Sequence, residues 1–285
     1  MKIFQHTAIA FLVGVSLSAC GGGGGGGGSS SNSAPPPPPP TNQSPGGIWT
    51  TQYVVQSGAN AGDTMDGKAL VTETGDVFFA EINAVNGCAV IGFGQVNVSG
   101  SSVSGSTNDG VVTFSQNSVV DTACSYSDGS TSATTTLSGT VTERSSFTIT
   151  DTSTTSLGMA LGSETNTWSY SNLYAETPSL VTIAGNYADG SNTLTLSSNG
   201  TLFEQDPTNG CVINGTVSIV NQSYNAYAVS VTWSSCTGNM AVLNGQTATG
   251  FGYYDDSVNP PQLVYGVHAT INGQTAIEAG ALPKM

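Results

Sequence analysis

Ile213-Asn214-Gly215-Thr216-Val217-Ser218-Ile219 alternates apolar or small residues with polar ones at every step. A period of two sends one set to a dry face and the other to a wet one, the pattern of a half-buried antiparallel strand. Moving outward, Tyr227, Val229, Val231 and Trp233 repeat it, as do Leu194 with Leu196, and Leu263, Tyr265 and Val267. Further upstream Phe78, Ala80 and Ile82 follow the same scheme, then Val90, Gly92, Gly94, Val96 and Val98. Turn-forming pairs punctuate these runs at Asn108-Asp109-Gly110, Asp128-Gly129, Asp189-Gly190, Asn199-Gly200, Asn244-Gly245 and Asn272-Gly273. Beyond the first twenty residues no stretch carries a sustained helical stripe, so any helix is a turn or two.

Runs near Gly185, Leu194, Leu202, Val212–Val220, Tyr227–Trp233, Gln246–Tyr254, Leu263–Val267 and Ala276–Leu282 make about eight strands in the second half. The first half accommodates a similar number. Short neighbouring strands joined by tight turns read as an up-and-down meander, and closure removes its edges. The expected fold is all-β, two tandem antiparallel eight-stranded barrels, with two β-sandwiches as the alternative.

An internal repeat supports the division. Gly47-Ile48-Trp49 opens one half and Gly185-Asn186-Tyr187 the other; each is followed by Asn-Gly-Cys, at Asn86-Gly87-Cys88 and Asn209-Gly210-Cys211, and then by one more cysteine, Cys124 or Cys236. The same order twice suggests duplication. After Cys20 four cysteines remain, an even number that in an exported chain points to disulfides, and the repeat makes Cys88–Cys124 and Cys211–Cys236 the simplest pairing. Each closure would contribute about 3–4 kcal/mol in the chain-entropy picture. Pro178 and its polar neighbours break the alternation between the halves, placing domain one at 48–177 and domain two at 178–285.

The front of the chain reads as an address. Lys2 followed by Ala8-Ile9-Ala10-Phe11-Leu12-Val13-Gly14-Val15 has the layout of a secretory signal over residues 1–19, too short to span a bilayer as a helix. Leu17-Ser18-Ala19-Cys20 resembles a bacterial lipobox, which implies lipidation of Cys20 by three acyl chains, enough for near-permanent anchoring. Gly21 rather than Asp at the next position implies, by the same resemblance, the outer membrane. Residues 20–47 then form a tether: Gly21–Gly28 is a soft joint, and Pro35–Pro40 is a short polyproline rod of roughly 20 Å.

Composition removes several functions. After the leader only Lys68, Arg144 and Lys284 are basic, against eighteen acidic residues. Nucleic acid binding needs basic side chains to displace counterions and is excluded as a partner class; anionic headgroups would repel the body, leaving the membrane contact to the lipid.

Residues able to carry chemistry are few. His268 stands opposite Leu263, Tyr265 and Val267 in strand parity and is expected on the surface, without a marked serine or orienting acid. Asp63-Thr64-Met65-Asp66-Gly67 and Asp255-Asp256 offer oxygens to calcium but fit no EF-hand loop, so no metal or cofactor is expected. Trp49 and Trp233 fall in inward rows. Tyr253-Tyr254 puts one ring on each face of its strand, so one is expected to be exposed, and the pair is the candidate binding site.

From Trp168-Ser169-Tyr170 through Ala184-Gly185, Asn209-Gly210-Cys211 and Cys236 to Gly280-Ala281-Leu282, the chain resembles a group of proteobacterial outer-membrane lipoproteins. That resemblance implies a location and a fold but carries no chemistry. Gly47-Ile48-Trp49 is similar to the opening motif of lipocalins, implying a barrel at the level of fold; the second copy has Tyr187 in place of the tryptophan. The expected function is a non-enzymatic, lipid-anchored envelope protein that binds a macromolecular partner, protein or glycan, or is structural. The alternative is a lipocalin-like carrier of a small apolar ligand in a hollow barrel.

Overall fold

A computed structural model describes residues 41–54, 62–84, 87–113, 124–189, 192–206, 210–271 and 274–285. The expected leader, Cys20 and the tether through residue 40 lie outside the described residues, as do Gly190 and the Asn272-Gly273 turn.

The first body is a closed barrel of eight antiparallel strands. They are β1 (Gly47–Val54), β2 (Thr64–Val71), β3 (Asp76–Asn83) and β4 (Cys88–Ser99), followed by β5 (Ser102–Thr113), β6 (Ser132–Thr142), β7 (Ser146–Thr155) and β8 (Ala160–Ser171). Each strand pairs with its successor, and β8 returns to β1 through Ile48–Ser171, Trp49–Tyr170 and Thr50–Ser169. The Asn108-Asp109-Gly110 turn expected from the sequence does not exist. These residues run through the middle of β5, where Asn108 pairs with Phe93, Asp109 with Gly92 and Gly110 with Ile91. A twelve-residue strand flanked on both sides by ladder partners overrides the local turn preference of Asn-Asp-Gly.

The second body comprises β9 (Gly185–Asp189), β10 (Asn192–Leu196), β11 (Thr201–Gln205), β12 (Val212–Asn221) and β13 (Tyr224–Ser234). It is completed by β14 (Thr247–Asp255), β15 (Gln262–Ile271) and β16 (Gln274–Pro283). This sheet is a half-barrel: its edge strands meet at one antiparallel bridge, Tyr187–Lys284, beside the Met285 N–H donating to the Asn186 carbonyl at 2.8 Å. Among the described residues helix is confined to one-turn α1 (Leu180–Ile183) and to 3-10 turns at Asn172–Ala175 and Gly238–Leu243. Disulfides join Cys88 to Cys124 and Cys211 to Cys236, spanning 36 and 25 residues, one within each body.

The bodies share a dry interface formed by their outer faces. Ile48, Leu70, Phe78, Ile91 and Phe93 from β1–β4 pack with Ala226, Tyr253 and Ile277. Strands β2–β4 are therefore apolar on both faces, as Val77-Phe78-Phe79-Ala80 shows, whereas β6–β8 turn Thr and Ser outward. The Phe78 ring lies flat against Gly266, where a Cβ would collide with it. Tyr174 stacks on Tyr224 at 4.8 Å, Arg144 donates to the Tyr224 hydroxyl at 2.8 Å, and Lys68 approaches Asp255 at 3.8 Å.

This contact corrects two expectations about exposure. His268 does point away from the interior of its sheet, but that face meets the first barrel; its ring lies 4.4 Å from Phe93, and burial holds its imidazole below the usual range. Tyr253 and Tyr254 do take opposite faces, yet neither is open: Tyr253 is 1% exposed at the interface and Tyr254 is 8% exposed in the core of the half-barrel. Parity was sound in each case; a second body covers what would otherwise be the wet face.

Candidate functional site

The interiors of the two bodies differ. Leu194, Leu202, Ile213, Val229, Trp233 and Tyr265 fill the half-barrel, and the space left among them is only ≈ 20 Å³. The closed barrel holds a cavity of ≈ 150 Å³.

One end of that cavity is an apolar floor. Val71, Val77, Val96 and Phe147 occur within a few residues of the β2–β3, β4–β5 and β6–β7 turns, and they form one cluster with Trp49 at the start of β1 and Trp168 near the end of β8. Trp49, fully buried, lies 5.3 Å from Phe147 and 5.5 Å from Tyr170, and its indole N–H donates to the Pro45 carbonyl at 3.1 Å. The incoming chain closes this end from below: Gln43 N–H donates to the Gly100 carbonyl at 2.8 Å, and Gly100 N–H to Asn42 Oδ1 at 2.9 Å.

The other end is acidic. Inward positions nearer the opposite ends of the strands carry Glu81 on β3, Asp109 on β5, Asp151 on β7 and Glu164 on β8, with Tyr53 on β1 among them. No Lys, Arg or His is among the described residues lining the cavity. Asp151 and Glu164 are direct cross-strand partners, a placement in which like charges repel. Tyr53 donates to Glu81 Oε2 at 3.3 Å. Thr135 donates to Asp109 Oδ2 and shares a 2.7 Å hydroxyl contact with Ser153. Asp109 is 2% exposed, and its Oδ1 accepts no hydrogen bond. That oxygen and the edge of Phe79 both lie over Gly92, in space that a side chain at this position would need.

Charge and burial act together on these acids. Glu81 is pushed up to about 8, first by burial and then by Asp151 and Glu164. Asp151 is raised to about 7 by burial and by Glu164. Burial takes Asp109 to about 6, with the Thr135 and Thr107 hydroxyls pulling part of the way back. The Tyr53 phenol also moves up, by burial and by Glu81. Removing carboxylates from water and crowding them both favour the protonated form.

A short segment covers part of the acidic mouth. Cys124 is bonded to Cys88 at the start of β4, and Tyr126, lining the cavity, packs with Val111 and Ala133. Asp128 fixes this segment by accepting from Thr155 Oγ1 at 2.5 Å and from Ser130 N–H at 3.0 Å.

The aspartates weighed for calcium are engaged singly. Asp63 accepts from Asn83 at 2.9 Å, Asp66 from Gln52 at 2.7 Å, and Asp255 from Ser257 N–H at 3.1 Å. Among the described residues no three metal-ligating side chains converge. The four cavity acids escaped sequence reading because they are spread over four strands; the available signal was a carboxylate at an inward position of an alternating run, as in Phe79-Ala80-Glu81. Comparison with protein-family models, curated proteins and solved structures finds no match to this chain, so the chemistry of the site is read from its own atoms.

Proposed function

We propose that the protein is a lipid-anchored, non-enzymatic binding protein of the bacterial outer membrane whose first barrel holds a small ligand. The observation that carries this reading is the contrast between a hollow first barrel and a filled second body. A cavity of about 150 Å³ with an apolar floor has room for a single aromatic ring. A glycosidic substrate would bring at least two hydroxylated rings, for which an apolar floor of this size is unsuited; binding is favoured over hydrolysis on that ground. Support for the anchored arrangement comes from the entry of the chain at the closed end of the barrel, which turns the acidic mouth away from the tether. The half-barrel serves as a buttress, packing on the outer wall of β1–β4.

Trp49 and Trp168 line the cavity, whereas Trp233 belongs to the half-barrel core. A Trp233→Phe protein titrated with one-ring aromatics should therefore show a saturable change in tryptophan emission. An emission that never saturates would refute ligand binding in the barrel. For the anchor, palmitate should label the parent chain and leave Cys20→Ser unlabelled; an unlabelled parent would refute lipidation.

A further inference from the structure

We propose that the ligand is a small organic cation, an ammonium group on a single aromatic ring or short alkyl body, with the body on the Trp49–Phe147–Trp168 floor and the charge among Glu81, Asp109, Asp151 and Glu164. The inference deepens the ligand-binding reading and rests on it.

Four carboxyls share one enclosure without a basic side chain among its lining residues. Placing Asp151 directly across from Glu164 adds repulsion that neighbouring strands ordinarily avoid. Crowding of this kind disfavours the ionised acids in the empty barrel, since like charges side by side repel and the partly buried carboxyls have lost part of their water. Asp109 is the most deeply buried of the four, with the Thr135 hydroxyl on Oδ2 and the Thr107 hydroxyl beside it, and its Oδ1 is left without a hydrogen bond of good geometry. A ligand ammonium supplies both the charge and the N–H groups. Tyr53, hydrogen-bonded to Glu81, adds an aromatic ring beside the acids of the kind that attracts cations. A neutral apolar guest would fill the floor but leave the acids as they are, and an anion would be repelled.

Among the described residues, every titratable group lining the cavity is acidic or phenolic: Tyr53, Glu81, Asp109, Asp151, Glu164, and Tyr126 from the rim. Strands β2, β4 and β6 contribute only apolar or hydroxyl-bearing lining residues such as Met65, Val90 and Thr135. Affinity for an ammonium must then rise with pH as the acids ionise.

The test compares 2-phenylethylamine with its neutral isostere 2-phenylethanol on the full chain, near pH 8.5 and near pH 5. The amine should bind about tenfold or more tightly than the alcohol at the higher pH, the gain expected for a charge-assisted contact over a neutral one. That preference should shrink to within about threefold at the lower pH, as the raised carboxyls regain their protons. The double variant Glu81→Gln with Asp151→Asn should bring amine and alcohol to within about threefold of each other near pH 8.5; a preference of about tenfold retained by this variant would overturn the assignment of the charge to these acids. Equal affinity for amine and alcohol near pH 8.5 overturns the cation assignment and leaves the ligand-binding reading standing. Failure of both to bind overturns the two together. Displacement of the amine by Ca²⁺ at equal concentration would likewise overturn it, by showing a metal preferred at the acids.

Discussion

At the scale of single residues, Glu81 gives the clearest expectation. Its folded pKa lies above its ordinary value, at about 8, so the folded state holds a proton that the unfolded chain releases near pH 4. The associated stability is complete below about pH 4 and is lost as pH rises through about 8. Asp151 and Asp109, raised to about 7 and about 6, act in the same direction. His268 opposes them weakly, since its lowered pKa removes stability as pH falls below its ordinary value. Thermal unfolding of the ligand-free protein should therefore move to lower temperature between about pH 5 and about pH 8. Glu81→Gln should flatten that slope and stabilise the barrel at the upper end by on the order of a few kcal/mol. A melting temperature that rises over this interval would contradict the placement of these acids.

Asn225 makes a different residue-level prediction. Its Nδ2 donates to the Tyr254 carbonyl at 2.7 Å and the Leu173 carbonyl at 3.1 Å, and its Oδ1 accepts from Tyr254 N–H at 3.0 Å. It replaces the ladder between β13 and β14 where their pairing ends at Tyr227–Gly252. Asn225→Ala strands these groups, so denaturant unfolding should show a loss of about 2–3 kcal/mol. Neither residue could be singled out from sequence, because eighteen acids and many asparagines look alike until the barrel closes and some are denied water.

At the scale of elements, the eight strands read from the second half all form, because alternation is a local property and their dry face is built by immediate neighbours. The failure at Asn108-Asp109-Gly110 has the converse cause: its partners on β4 and β6 belong to the long-range ladder, which local turn preference cannot anticipate. The disulfides were readable because the repeat ordered the cysteines. Their roles differ. Cys211–Cys236 ties the core of the half-barrel, and Cys211→Ser should lower its stability by about 3 kcal/mol. Cys88–Cys124 holds Tyr126 over the cavity mouth. Cys124→Ser should leave the barrel's strand content intact by circular dichroism and weaken ligand binding several-fold; unchanged affinity would show that the rim segment has no part in the site.

For the whole molecule, the interface explains why exposure was misjudged at His268, Tyr253 and Tyr254. Sequence parity identifies which side of a strand a residue takes but not what lies beyond it. The near-continuous apolar runs of β2–β4 did hold the clue, since a strand apolar on both faces needs cover on both. Phe78, pressed on Gly266 and 5.2 Å from Phe93, is central to that cover and points away from the cavity. Phe78→Ala should cost about 3–5 kcal/mol and uncouple the bodies. Calorimetry should then show two transitions in place of one, with the cavity still able to bind its ligand. A single unshifted transition would deny the half-barrel its role as a buttress.

The most direct measurement on the central claim is the heat of 2-phenylethylamine binding near pH 7 in buffers of different ionisation enthalpy. An ammonium seated among acids that are raised to about 6, 7 and 8 must expel protons from them, so the observed enthalpy should change with the buffer and report net proton release. Binding whose enthalpy is the same in every buffer would mean that the cation never reaches the carboxyls of the first barrel.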